Sequence, residues 1–326
     1  EENEEKIINI KDTTGASALT NIYNILTSKF EYDFQGEKRT QEEMVTFVRS
    51  SSSKTRKEAY LTLFKPYQEH KDLIGEIYKN LINDWREESV NLRGYKDPIN
   101  VRNSVNDIPD KAIQALLNVC AKNEKMFHKF FEIKRKKLKL QKLRRFDIYA
   151  PLKEEKETIS YNKAVNMVLE TFEGFAPEFH AAASNIINQN HIHSNVQKGK
   201  RSGAFCCPTT TQHSPYVLLS YTGKYRDVST LAHELGHGIH MSLANMKQTE
   251  FTADACLPLA ETASIFSEML LSEKVMKDNP KAAKNMLFTK LDDLYASIIR
   301  QAGFVRFEIQ AHEMMKEGKT IDEMSD

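Results

Sequence analysis

A mainly α-helical fold with one short β region is what this 326-residue sequence predicts. Three observations carry that expectation. Glycine and proline are scarce, at 12 and 9 residues, so few positions interrupt a helix. Long stretches place apolar residues three and four apart, the spacing of one helical face. Only two short runs, Ser202–Cys207 and Pro215–Tyr221, have the look of strands.

Taken in order, the first strong helix start is Thr40. With Glu43 it makes a capping box ahead of Met44, Phe47 and Val48. From Lys54 to about Trp85 the spacing predicts one long charged helix, or a pair broken near Pro66. A loop with Gly94, Pro98 and several Asn residues follows. The composition shift there marks the expected boundary between an N-terminal helical region, 1–95, and a second region, 96–326. Helices resume near Asp110. Between Met126 and Leu143, the residues Met126, Phe130, Ile133 and Leu140 form one apolar stripe, and Lys134–Lys137 with Arg144 and Arg145 read as a solvated face of that helix. The two strand-like runs, joined by a polar Thr/Gln/His loop, predict a hairpin just before the helix that starts near Asp227. His191 and His193 alternate as well, but read as polar loop rather than as a second metal pair.

Composition removes several classes of function. The 46 basic and 45 acidic residues leave a net charge of +1, which gives no electrostatic reason to expect nucleic acid or an anionic membrane as partner. Charged residues make up 28% of the chain, and no run of about 18 apolar residues could span a bilayer. Glu1–Lys6 has neither a basic nor an apolar segment of a signal peptide. Cys120, Cys206, Cys207 and Cys256 show no CxxC spacing and no disulfide ladder, which favours a reducing, cytoplasmic setting. Cys206 and Cys207 read as two small buried residues. The chain starts without Met and stops at Asp326 inside what reads as a further helix cap, so a piece of a longer protein is expected.

The chemistry lies in Thr230–His240. Residues four apart share a helix face, so His233 and His237 can turn imidazole nitrogens to one metal ion. Glu234 sits about 100° around from His233 and about 60° from His237, beside the metal position without having to ligate it. That is where a base must stand to take a proton from a water on the metal. Val228, Leu231, Ala232, Leu235 and Ile239 form the opposite face, which anchors the helix in the core. Gly236 and Gly238 each cost roughly 1 kcal/mol of helix propensity, tolerable if another backbone or a substrate approaches closely.

Catalytic zinc sites commonly take three protein ligands and leave a position for water. A third His in the extended pattern would fall at position 243, which is Leu243, so a Glu from the following helix is the other common solution. Glu261, on the helix opened by Pro258, is assigned as that ligand. Glu268 lies two turns along the same face and is a candidate for orienting a ligating imidazole. His240, near the same face one turn beyond His237, is a candidate for supporting a ligand or facing substrate.

Four stretches then make the chain resemble oligoendopeptidase F in the thimet-oligopeptidase family of zinc peptidases. They are Arg93-Gly94-Tyr95 with Val101-Arg102-Asn103, Phe146–Leu152, Lys198–Phe205, and Asp227–His240 followed by Ala260–Ser264. The resemblance implies a two-lobed, helical, zincin-like peptidase with a deep channel and a small sheet at the active site. It implies one Zn2+ per chain on His233, His237 and Glu261, with Glu234 as general base, cutting internal bonds of short peptides. The strand ending near Tyr221 would offer its edge to the peptide backbone, with Gly203 and Ala204 keeping that edge open. Family members also carry a downstream His- and Tyr-containing segment that stabilises the oxyanion. No equivalent stands before Asp326, which implies a C-terminally incomplete catalytic region. A zinc exopeptidase of related fold and a non-catalytic peptide- or zinc-binding fragment stay open as alternatives. Oligomeric state is not legible.

Overall fold

The computed structural model describes residues 1–152, 158–197, 200 and 203–325. In chain order the helices and strands are α1 (Glu2–Thr14), α2 (Ala16–Ser28), β1 (Tyr32–Phe34), β2 (Glu37–Arg39), α3 (Gln41–Val48), α4 (Ser53–Glu69) and α5 (Lys71–Arg86). Then follow α6 (Pro98–Val105), α7 (Asp110–Lys137), α8 (Tyr161–Phe175), α9 (Pro177–Asn188), β3 (Ile192–His193), β4 (Phe205–Cys207) and β5 (Tyr216–Leu218). The last are α10 (Tyr225–Asn245), α11 (Leu257–Asp278), α12 (Pro280–Tyr295), α13 (Gln301–Lys316) and α14 (Ile321–Ser325). Among the described residues no helix is long and apolar enough to cross a membrane.

The chain forms two compact units, residues 1–152 with 289–326, and residues 153–288. This division differs from the 95/96 boundary expected from composition, which falls inside the first unit. The loop there is tied down, because the Trp85 indole donates to the Pro98 carbonyl at 3.1 Å and Arg102 stacks 4.5 Å over the Trp85 ring.

In the first unit, Thr40 and Glu43 form the expected capping box. α4 runs through Pro66 and stops at His70, so the charged stretch is a helical pair. Pro66 supplies no amide to the ladder, and the helix ends within a turn of it. The α7 reading needs correction. The helix ends at Lys137, leaving Leu140, Arg144 and Arg145 beyond it. Lys139 takes a φ of +56°, and the Lys139 and Leu140 amides bond back to the carbonyls of Lys136 and Arg135. That is a Schellman stop built on lysine, with no glycine to announce it. Of the apolar stripe, Phe130 is buried while Met126 and Ile133 are exposed.

Lys134 is also not solvated. It is fully buried and donates to both Asp292 oxygens, at 2.7 and 2.6 Å, and to the Ile148 carbonyl. A second buried pair, Arg56 with Asp147 at 2.6 Å, holds the Phe146–Leu152 stretch from the other side. The segments on both sides of the excursion into the second unit are thus fastened by ions.

The second unit holds the larger apolar cluster, including Val168, Phe172, Ile186, Val217, Leu231, Leu235, Ile239 and Leu271. Its sheet has the order β3-β5-β4. β4 and β5 are the expected antiparallel hairpin, with Cys206 opposite Val217. β3 was read as polar loop and is instead a strand parallel to β5, where Val217 and Leu219 donate to the His191 and His193 carbonyls at 2.8 and 3.1 Å. A two-residue strand is too short to show an alternation of its own. All four cysteines are free, and Cys207 is exposed rather than buried as expected.

Lys134→Met alone should lower stability by about 3–5 kcal/mol, because buried Asp292 loses its ammonium partner and must be protonated or left poorly paired. Adding Asp292→Leu should recover most of that loss. Denaturant unfolding checks this; a double variant as unstable as the single one contradicts it.

Candidate metal centre

α10 is fixed at its start by Asp227, whose carboxylate accepts the backbone N–H of Thr222 and Lys224, at 2.7 and 3.0 Å, and the Thr222 hydroxyl. Val228, Leu231, Ala232, Leu235 and Ile239 are buried, as the spacing predicts. That face points His233 and His237 away from the core, with ring centroids 4.9 Å apart. The glycines have a steric cause. A Cβ on Gly236 would stand 2.9 Å from the Ala263 carbonyl oxygen and the Ser264 Cα, and one on Gly238 would meet Ile186 at 2.6 Å. Gly236 therefore lets α11 lie directly against α10.

This close approach brings Glu261 to the two imidazoles. Its carboxylate oxygens stand 3.5 Å from His233 Nε2 and 3.8 Å from His237 Nε2. The three donors lie within 4.8 Å of one another. Zinc with ligands at about 2.0–2.2 Å in tetrahedral geometry needs donor separations of about 3.3–3.6 Å. Two imidazole nitrogens and one carboxylate oxygen thus fit the ion in number and type, and the two carboxylate–imidazole separations, 3.5 and 3.8 Å, fall within or just above that spacing. The side chain of Glu261 is half exposed, and Ser264, fully buried, donates its hydroxyl to the same carboxylate at 3.0 Å.

Glu268 accepts from His233 Nδ1 at 2.7 Å and from the Ser229 hydroxyl at 3.1 Å. A carboxylate accepts only, so Nδ1 carries the proton and the Nε2 lone pair faces Glu261 and His237. Burial works against the charged form of His233, yet the Glu268 hydrogen bond and the carboxylates around it hold its pKa above the ordinary value. His237 is held below it by burial and by the charge of His233, with His240 adding a smaller push. Glu234 is buried. Desolvation, reinforced by the charges of Glu261 and Glu268, lifts its carboxyl to about 7 in the metal-free chain.

The sheet next to α10 departs from expectation in one respect. β5 is the central strand and has no open edge, since β3 and β4 cover its two sides. Tyr221 is likewise occupied, with its hydroxyl on the Ile159 carbonyl at 2.9 Å and its ring edge-on to Tyr161. The outer strands are β3 and β4, and β4 is the longer. Val217 and Leu219 turn their amides to β3, so Tyr216 and Leu218 face β4. By alternation Phe205 and Cys207 bond to β5, while Ala204 and Cys206 turn their backbone groups outward. Gly203, with φ +83°, opens that strand in a conformation suited to glycine. Cys206 lies beside the centre, its thiol pushed up to about 12 by burial and by the charge of Glu234. Lys198, Gly199, Arg201 and Ser202 lie outside the described residues.

Sequence reading missed Ser229 and Ser264. Ser264 had a signal in its three-residue spacing from Glu261; Ser229 had none. The other group of three acidic residues with metal-like spacing among the described residues, Asp12, Asp84 and Glu88, is already served by an ammonium, as Lys11 donates to Asp84 and Glu88 at 2.9 and 3.1 Å.

Among known proteins, the model of peptidase family M3 matches residues 46–326. The chain belongs to peptidase family M3. This M3 chain is 27% identical to an oligoendopeptidase F homolog of Borreliella burgdorferi, across 98% of its own length and 55% of that protein. It is 25% identical to the group B oligopeptidase PepB of Streptococcus agalactiae, across 86% of this chain and 47% of that one. Its fold matches an oligoendopeptidase-F structure from Enterococcus faecium with a TM-score of 0.63 at 18% identity, over 98% of this chain and 51% of the other. PZ peptidase A, solved with an inhibitor, matches with a TM-score of 0.78 at 22% identity, over 90% and 53%. The M3 chain thus spans about half the length of the curated relatives it matches.

The geometry predicts one zinc per chain, lost in Glu261→Ala. Glu268→Gln should keep the ion but weaken its affinity by about 10–100-fold, since the carboxylate that orients His233 is gone. Competition against a chromophoric chelator measures both; unchanged affinity in Glu268→Gln contradicts the assigned role.

Proposed function

We propose that the chain carries the metal centre of a zinc-dependent endopeptidase acting on internal bonds of short peptides. The observation that supports this most is the convergence of His233, His237 and Glu261 with a buried, proton-hungry Glu234 next to them. The family and the names of its relatives support the peptidase class.

His233 Nε2, His237 Nε2 and the Glu261 carboxylate would hold Zn2+. When bound, the ion supplies Lewis acidity, polarising a peptide carbonyl and bringing the pKa of a water to about 7. The protein's own residues do the rest. Glu234 accepts the proton of the attacking water on its carboxylate and later delivers it to the leaving amine nitrogen. A buried carboxylate next to the ligands is placed for both transfers. Glu268 keeps His233 in one tautomer throughout. The outward backbone groups of Ala204 and Cys206 on β4 pair with an extended peptide, which recognises the main chain rather than a particular side chain. Such pairing favours an unfolded, short substrate over a folded protein.

Glu234→Gln should retain zinc at one per chain and lose at least about a hundredfold in cleavage of a quenched fluorescent peptide. Turnover near the unsubstituted level would remove Glu234 from the reaction. Products of a peptide blocked at both ends, read by mass spectrometry, identify internal cleavage.

A further inference from the structure

The segments on both sides of the outer strand β4 are held by side-chain contacts, Lys200 before it and, after it, residues that follow α10 or end it. On the upstream side, Lys200 Nζ donates to three main-chain carbonyls, those of His193 at 3.1 Å, Asn195 at 2.8 Å and Leu219 at 2.6 Å. Its three N–H bonds are thereby matched by backbone oxygens. The site of this contact is informative. Leu219 lies just past the paired residues of β3 and β5, where the Tyr221 amide still donates to the Ser194 carbonyl, and the Leu219 carbonyl accepts from Lys200. Lys200 is thereby held to the main chain on both sides of the β3–β5 pairing.

On the downstream side, Glu250 lies in the segment between α10 and α11, and its Oε1 accepts the Thr211 backbone N–H at 2.8 Å and the Thr211 hydroxyl at 2.5 Å. Asn245, the last residue of α10, reaches the neighbouring Thr210 carbonyl at 3.5 Å. Between these ends, Cys206 rests on α10, with its sulfur 3.8 Å from the Met241 sulfur. The strand is three residues long and its own pairing with β5 is correspondingly small.

We infer that Lys200 and Glu250 are positioning residues for the peptide substrate, holding the outward groups of Ala204 and Cys206 at a fixed place beside Glu234. The inference rests on the peptidase reading above and adds two residues to it. A three-residue edge offers few hydrogen bonds to a bound strand, so its placement matters more than its length. Misplacement of a bound peptide by about 1 Å can cost a hundredfold in rate. An edge that must be ordered by the peptide itself also subtracts that ordering from affinity. Neither residue touches the metal ligands, so zinc binding and strand placement are separable.

The test uses the zinc-loaded chain and a non-cleavable extended octapeptide. Peptide affinity is read by fluorescence anisotropy and protection of the Cys206 amide by hydrogen exchange. The unsubstituted chain should bind the peptide with slowed exchange at Cys206. Lys200→Met and Glu250→Ala should each weaken binding about tenfold with zinc affinity unchanged, and Lys200→Arg, which can still bridge carbonyls, should recover most of the loss. Glu250 is exposed, so Glu250→Ala and Thr211→Val carry the test if Lys200→Met does not fold. Normal peptide affinity in these variants, with Cys206 protected in the unsubstituted chain, overturns the positioning roles and leaves the peptidase reading standing. Peptide binding without protection at Cys206 also overturns them. A chain that takes up no zinc at all refutes the peptidase reading instead, and the inference falls with it.

Discussion

The contact between α10 and α11 at Gly236 governs the rest of the site. His233 and His237 are arranged by one helix alone, and two imidazoles on one face are a pattern any amphipathic helix can carry. What turns them into a three-donor centre is a neighbouring helix close enough for a glutamate to reach across. Gly236 supplies that closeness, since a methyl group there would collide with the Ala263 carbonyl oxygen and the Ser264 Cα. The same approach puts Glu268 on His233 Nδ1, so one packing event delivers both the third donor and the residue that fixes the tautomer of the first. The buried stripe from Val228 to Ile239 then holds α10 against the apolar cluster of its unit.

Electrostatics follow from this packing. Three carboxylates, Glu234, Glu261 and Glu268, crowd two imidazoles in a partly dry place. Desolvation raises the proton affinity of Glu234, and without a cation the charges of Glu261 and Glu268 add to it. A divalent cation placed between them would relieve the same repulsion.

Much of this was legible in the sequence, for reasons that can be stated. The His233–His237 spacing, the buried face opposite it and the Glu261–Glu268 interval are all consequences of 3.6 residues per turn, so they survive translation from one dimension to three. The Thr40 capping box was readable for the same reason. What was missed depends on contacts between distant segments. Lys134 looks like a solvated cation until Asp292, 158 residues away, is known to face it. β3 is two residues long, and its existence is decided by β5. That pairing also makes β5 the central strand and leaves β3 and β4 outermost, which a hairpin read in isolation could not reveal. The end of α7 was hidden because a lysine takes the left-handed position that glycine normally marks. Of the four family-like stretches, the two earliest serve the first unit, through Trp85 with Arg102 and through Asp147 with Arg56. Likeness along the chain therefore reflects fold as well as chemistry.

X-ray absorption at the zinc edge of the loaded chain tests the central claim most directly. The account predicts nitrogen and oxygen neighbours at about 2.0–2.2 Å, with the outer-shell signature of two imidazoles and no sulfur. Cys206, packed on α10 against Met241, should stay unligated. A sulfur neighbour at about 2.3 Å, or a single imidazole, would contradict the His233, His237 and Glu261 centre.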